Sequence, residues 1–468
     1  MVKLGICQKE RILSFLNTPH PWKILILDSV TQSILSPLLS SKDLRDCGIT
    51  SYFLISNKRL PVSNTPALYF VSDISNIYKD ILDNLYTEYL IYSVSNIKRK
   101  DLENLGLILG RKGLGHYITQ IYDQYVDFIS LQEDLYTFNI TNSYINKDNL
   151  DIYKNILSIF ITIKSKPTII STDNLTNHYQ DILKQISKNN IIQKFINKSL
   201  LILINRDYDI INPIKHSWSY SSLISDLLDL KNNKLKIKNK IFNLDLNDEI
   251  YKNNMNEYFP IVVENVEEEL LKYKKEVACK LNILLDKTNN LIKQNEKINK
   301  HIEICTEILR IIKERSLDEF YKVQNNDNIN INNINTLVND DFNDLLRLGL
   351  VIGDYDLLKS KNIKSKLIDF YKKLKEEKNQ NFNNFVGKIL KNVLPVKEKS
   401  PISDLVQDIW NQRKEEYKNI VVCMIGGATY SELKTLKILE EKIRVPIIYG
   451  GTEVLNSKEF MDQVNETL

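Results

Sequence analysis

At 468 residues the chain has room for roughly two to four domains with substantial buried cores. Its 63 basic residues against 59 acidic ones leave a formal charge of +4, too balanced for the basic stripe of a nucleic-acid binder. Hydrophobic residues make up 43% and charged residues 26%, an ordinary globular mix, and no apolar run approaches the length of a membrane span.

Five cysteines (Cys7, Cys47, Cys279, Cys305 and Cys423) form an odd set with no CxxC pair. That argues for a reducing compartment and against a disulfide framework or a zinc site. The first residues, MVKLGICQKERILSFLN, carry charges through their apolar patch, so no signal peptide is expected.

Residues 1–138 read as an α/β domain. After an opening helix near 10–16, apolar runs at 22–28, 49–55, 67–71 and 89–94 predict strands. Helical patterns fall between several of them, notably 74–86, with Ile74, Ile77, Ile81 and Leu85 on one face. Strands alternating with helices predict a mostly parallel sheet covered on both sides. Asp28 and Asp73 stand at strand ends, where such sheets bind ligands, yet the segment after the first strand, DSVTQSILS, lacks the glycines of a phosphate loop. The glycine-rich run GRKGLG at 110–115 follows no clear strand and reads as a turn. Ile118, Ile121 and Tyr125 have the spacing of one helix face, which predicts core packing.

Residues 139–243 begin with helical segments near 152–163 and 179–186, leading into a buried strand at 200–204. Asn205, Arg206 and Asp207 end that strand, and an extended turn at Asn212 and Pro213 follows. His216, Trp218 and Tyr220 precede an amphipathic helix with Leu223, Leu227 and Leu230 on one face. No nucleophile–base pair or metal-ligand spacing accompanies this cluster, so packing is its expected role. The lysine-rich run at 231–240 reads as a solvated loop.

From about 258 the pattern becomes long helices. Val263, Val266, Leu270, Tyr273, Val277 and Leu281 form one stripe, and Ile298, Ile302, Cys305, Leu309 and Ile312 another. Joined through a polar region at 286–297, they predict an antiparallel helical hairpin. Ile304, Ile308 and Ile311 add more apolar surface than one seam requires, which points to a further helical partner. Residues 325–339 form an Asn-rich, low-complexity tract expected to be a flexible insert, and helices resume from 340 to about 394. Residues 395–468 return to α/β, with strands at 419–425 and 445–449, each closed by a Gly pair, and helices at 430–439 and from Asn456. The glycines read as chain reversals beside strand ends rather than as a phosphate cradle.

The run from Arg206 to Asp209, followed by Pro213, His216, Trp218, Tyr220 and an Asp- and Leu-rich helix, resembles the central segment of the Sec/Munc-type (SM) family. Matching islands at 22–72, 259–323 and 419–455 follow in the family's order, and the first looks most like the ER–Golgi (Sly-like) branch. The resemblance implies an arch-shaped, multi-domain α/β fold with a helical insertion. Two parallel-sheet domains would be accompanied by a mostly helical domain carrying a long hairpin. Residues 1–138 would form the first domain, 139–243 with 395–468 a discontinuous second one, and 244–394 the helical third.

It further implies a non-enzymatic, monomeric scaffold without cofactor or metal, binding no nucleic acid. Such a scaffold binds a syntaxin-type Qa-SNARE and aligns a vesicle R-SNARE, reaching ER and Golgi membranes only through them. The pocket for the syntaxin N-terminal peptide maps to Ile118, Ile121, Asp123, Tyr125 and Val126. The syntaxin cleft maps to Lys58 and Arg59, and the SNARE-aligning surface of the hairpin to Ile298, His301, Ile304 and Ile308. Two other readings stay open. One is an α/β enzyme or nucleotide-binding protein handling a phosphorylated ligand at Asp28 or at Gly426 and Gly427. The other is a structural protein that oligomerises through the helical stripes.

Overall fold

The computed structural model describes residues 2–325 apart from 61, 63, 76, 84–85, 173–175, 245–247 and 281–285. It also describes 342–353, 368–369, 371–372, and 400–468 apart from 414–415. Strand β1 (Lys23–Leu27) is buried at every position, as a KILIL run between two helical layers requires. Even Lys23 is buried, its ammonium donating to the carbonyls of His20 and Cys47. With β2 (Ile49–Leu54), β3 (Ala67–Val71), β4 (Tyr89–Ser93) and β5 (Ile118–Asp123) it forms a parallel sheet of order β2-β1-β3-β4-β5. Helices α1 (Leu4–Leu16), α2 (Ser29–Leu35), α3 (Ser41–Asp46), α4 (Ile77–Asp83) and α5 (Arg99–Arg111) accompany this sheet in the chain.

The second sheet contains β6 (Ile129–Ser130), β7 (Leu135–Thr137), β8 (Lys166–Ser171), β9 (Lys198–Asn205), β12 (Ile420–Ile425) and β13 (Ile447–Gly451), in the order β6-β7-β13-β12-β9-β8. Strand β12 lies between β9 and β13, pairing Ile420 with both Leu200 and Ile447. The last part of the chain therefore supplies the centre of a sheet begun more than 200 residues earlier, consistent with loop-closure entropy growing only slowly with length. Strands β6 and β7 fall before residue 138 in sequence but pair in this second sheet. At two and three residues they are too short to show any periodicity. Helix α1 holds this crossing in place. The buried Gln8 amide donates to the carbonyls of Val126 and Phe128, and its oxygen accepts from the Ser130 hydroxyl.

Helices α6 (Tyr153–Thr162), α7 (Asn177–Lys188) and α8 (Asn190–Gln193) precede β9, and α9 (Tyr220–Leu228) follows it. The lysine-rich run is ordered as an antiparallel hairpin of β10 (Lys234–Ile237) and β11 (Lys240–Asn243), not a loop, because Leu235 and Ile237 alternate inward. Next come α10 (Glu249–Asn254), α11 (Phe259–Lys280), α12 (Asp286–Arg315), α13 (Leu317–Asn325) and α14 (Phe342–Ile352). The polar stretch at 286–297, expected as the hairpin's connection, is already helical within α12. The low-complexity tract beyond Asn325, and most of the helices expected between 340 and 394, lie outside the described residues. Helices α15 (Pro401–Asn411), α16 (Tyr430–Ile443) and α17 (Ser457–Thr467) complete the chain. The main hydrophobic cluster is continuous through all of these parts, joining Leu25 and Phe70 to Leu200, Val262, Ile304 and Val422.

Candidate partner-binding surfaces

The residues that resembled ligand sites at strand ends are engaged in holding the fold. Asp28 caps α2, accepting the Thr31 amide at 2.8 Å through one oxygen. Its other oxygen takes the amide and hydroxyl of Ser72, joining the ends of β1 and β3. At the second sheet, Arg206 and Glu432 form a wholly buried ion pair at 2.8 Å, and Glu432 also accepts from the Tyr449 hydroxyl and completes the capping box of α16 with Thr429. Gly426 and Gly427 both have positive φ, and a Cβ on the first would sit 3.0 Å from that of Arg206. The glycine pair therefore lets β12 turn closely over the buried arginine.

Among the described residues strand β5 is the edge of the first sheet, with no strand paired to its outer backbone groups. The helix-like spacing of Ile118 and Ile121 has a different cause. Opposite β4 the register passes from Ile118 to Gln120, skipping Thr119, so that Ile118, Ile121 and Asp123 pair with Tyr89, Ile91 and Ser93. Both isoleucines pack, half-buried, against the cluster under α5 that contains Tyr89, Ile91, Leu105 and Leu109. On the opposite face Tyr122 is 56% exposed and stacks on Tyr92, whose hydroxyl donates to Gln120.

Asp123 accepts the Ile97 amide at 3.1 Å and a long bond from the Tyr125 hydroxyl. Burial, then the Asp123 carboxylate, push the Tyr125 hydroxyl up to about 12, so it stays a donor at neutral pH. The edge thus carries Ile118 and Ile121 on its inner face and Tyr122 on its outer face, with Tyr125 just beyond its end. Val126 does not belong with them: it is fully buried, and its amide bonds the carbonyl of Val94.

The two residues expected in the cleft separate. Lys58 is exposed, but the Arg59 guanidinium is buried in an ion pair with Asp80 and donates to Tyr86 at 3.1 Å. Tyr69 donates to the same Asp80 at 2.6 Å. Arg59 therefore braces the loop after β2 rather than presenting its charge, which corrects the expectation for it.

The hairpin residues require the same correction. Ile298, His301, Ile304 and Ile308 are all fully buried, on the face of α12 turned to the body of the protein. His301 accepts from the Tyr220 hydroxyl at 2.8 Å through Nδ1 and donates to Asp248 at 3.1 Å through Nε2. Burial holds its pKa below the ordinary value, partly offset by Asp248. A second buried histidine, His216, sits 3.3 Å from Asp344, which also accepts two bonds from Arg315 at 2.6 and 2.8 Å. These two nodes, with Trp218 stacked on Tyr321, bind the base of the helical region to the segment after β9.

Further out, the hairpin is different. Between Val266 on α11 and Ile298 on α12, no residue whose burial is described is buried. Leu270, Tyr273, Val277 and Leu291 are only half-covered, while Leu271 and Ile292 are 56% and 54% exposed. This distal arm of α11 runs about 20 Å from Val266 to Lys280 and lies against α12. Periodicity located the stripe; only the packing shows which half of it is uncovered.

Comparison with known proteins gives a coherent result. The family model described as the Sec1 family matches residues 23–404 and 397–463. The chain is 40% identical to the SEC1 family transport protein SLY1 of Encephalitozoon cuniculi (strain GB-M1), over 98% of each chain. Its fold is similar to that of Sly1p solved in complex with an N-terminal peptide of Sed5p, with a TM-score of 0.85, 22% identity, and coverage of 100% of this chain and 99% of the other. It is also similar to the SM protein Vps45 solved in complex with the Qa SNARE Tlg2, with a TM-score of 0.82, 17% identity, and coverage of 99% and 98%.

Proposed function

Because this chain belongs to the Sec1 family, we propose that it is a non-catalytic scaffold that binds a syntaxin-type Qa-SNARE and promotes SNARE assembly in transport between ER and Golgi. The observation that carries this reading is the distal arm of α11 and α12, where Leu271 and Ile292 stand exposed and, among the residues whose burial is described, none between Val266 and Ile298 is buried. A SNARE segment is a disordered amphipathic strand of chain that becomes helical on binding. Laid along the arm, it would lose its conformational freedom before meeting its partners, which lowers the entropic cost of bringing several such segments into register. The edge of β5 supplies a second attachment, where an extended N-terminal peptide of the Qa-SNARE places an apolar anchor beside Ile118 and Ile121.

Among the described residues no helix is long and apolar enough to cross a membrane. The proposed scaffold works peripherally, on the cytoplasmic face of ER and Golgi membranes. The peptide site is tested by titrating the protein with a fluorescent N-terminal peptide of the organism's ER–Golgi Qa-SNARE. Saturable binding that is lost in Ile121→Lys, with the fold retained by circular dichroism despite some loss of stability, is the expected result. Binding that survives this substitution would remove the β5 edge from the account.

A further inference from the structure

The β10–β11 hairpin carries on its outer face residues that packing does not explain. Its inner face is ordinary: Leu235 and Ile237 are buried in the main cluster. Its outer face carries exposed Lys234 and Lys236, with Lys238 at the tip in a left-handed conformation (φ 53°) more usual for Gly or Asn. Directly across the ladder from Lys236 stands Ile241, an isoleucine 70% exposed among cations.

The carboxylates nearby are already engaged with other cations. Lys240 pairs with Glu303 at 2.7 Å, and Lys231 with Glu459 at 3.1 Å. Lys300 and His301 share Asp248. Glu307 is held at 2.6 Å by Arg310, which lowers its pKa, and Lys238 is near enough to lower it further. Lys234, Lys236 and Lys238 form no ion pair among the described residues.

We infer that this hairpin docks on an anionic bilayer surface, with Lys234, Lys236 and Lys238 among the headgroups and Ile241 inserted shallowly between them. Three features select a lipid surface over an acidic protein or a nucleic acid. The cations are all lysines, mobile point charges suited to a diffuse field rather than to the fixed forks of specific carboxylate or phosphate recognition. The apolar residue in their midst gains nothing from a soluble polyanion but gains from the acyl boundary of a membrane. The chain's overall charge of +4 provides no wider basic surface for a nucleic acid. The contact does not depend on the SNARE reading, since it needs no protein partner.

The test uses the full chain with phosphatidylcholine vesicles, with and without phosphatidylserine and without SNAREs, in a flotation assay. Binding is expected only with phosphatidylserine, and it should weaken steeply as salt rises. At about fivefold per lysine charge removed, the K234E/K236E/K238E variant, which also reverses each charge, should bind more than about 100-fold more weakly. Ile241→Ser should weaken binding several-fold at unchanged charge. All four positions are exposed, so melting temperatures should match the parent chain, and Lys236→Glu alone offers a milder check. Equal binding to neutral vesicles, or full binding by the triple variant, would overturn the inference. So would an Ile241→Ser variant that binds vesicles normally while the parent binds soluble polyglutamate equally well, since that describes a polyanion site.

Discussion

Arg206 and Glu432 lie 226 positions apart and meet with both side chains fully buried. Such a pair is expensive to half-remove, because the surviving charge keeps its desolvation cost and loses its partner. Glu432→Ala should therefore destabilise the protein by about 3–5 kcal/mol in urea denaturation. The two buried histidines make a separate prediction about pH. Burial keeps His216 and His301 below their ordinary pKa in the folded state, whereas an unfolded histidine titrates near ~6.5. Below that value the unfolded chain binds more protons than the folded one, so stability should fall as pH drops from about 7 toward 5. In a His216→Gln/His301→Gln variant that slope should be shallower, whatever its absolute stability, when denaturation is compared at the two ends of this range. Asp344 acts further down: its partners hold it at about 2 despite burial. Its contribution should persist above about pH 4 and disappear between there and about pH 2.

At the scale of the element, the hairpin divides into a base that belongs to the core and an arm that does not. Ile304→Ala, at the base, should cost about 2–5 kcal/mol of stability. Leu271→Asp, on the arm, should change stability by less than about 0.5 kcal/mol while weakening capture of the vesicle R-SNARE in a pull-down. The reverse pattern would put the partner surface back on the residues that the stripe first indicated. Apolar spacing told that α11 and α12 are amphipathic, but Val266 and Leu270 look alike in one stripe; only the first is buried, where the base of the hairpin meets the core. Strand β5 teaches the same lesson differently. Skipping Thr119 in the register placed Ile118 and Ile121 on one face, which copied the spacing of a helix. The longer strands β1, β3, β4, β9 and β12 were legible because each is an apolar run covered on both sides. Short β6 and β7 left no such trace, and the hairpin at 234–243 was hidden behind its lysines.

For the molecule as a whole, the family was legible because its motifs are structural rather than chemical. Arg206, Glu432 and the Gly426–Gly427 turn join distant segments, so together with their neighbours they appear as separate islands in a set order. Partner-facing residues carry no such mark. Arg59 has the charge expected of a cleft residue, yet Asp80 holds it inside, and no sequence spacing announces that pairing. One hydrophobic cluster joins both sheets to the base of the helical hairpin, and the proposed SNARE contacts lie outside it, on the hairpin's distal arm and the β5 edge.

The most direct measurement of that claim is the rate of SNARE complex formation, followed by energy transfer between labelled Qa- and R-SNAREs of the ER–Golgi step. Stoichiometric addition of the purified chain should bind the Qa-SNARE and accelerate assembly, with Leu271→Asp losing the acceleration and keeping Qa-SNARE binding. If the protein binds none of the SNAREs and leaves the rate unchanged, the scaffold account is contradicted.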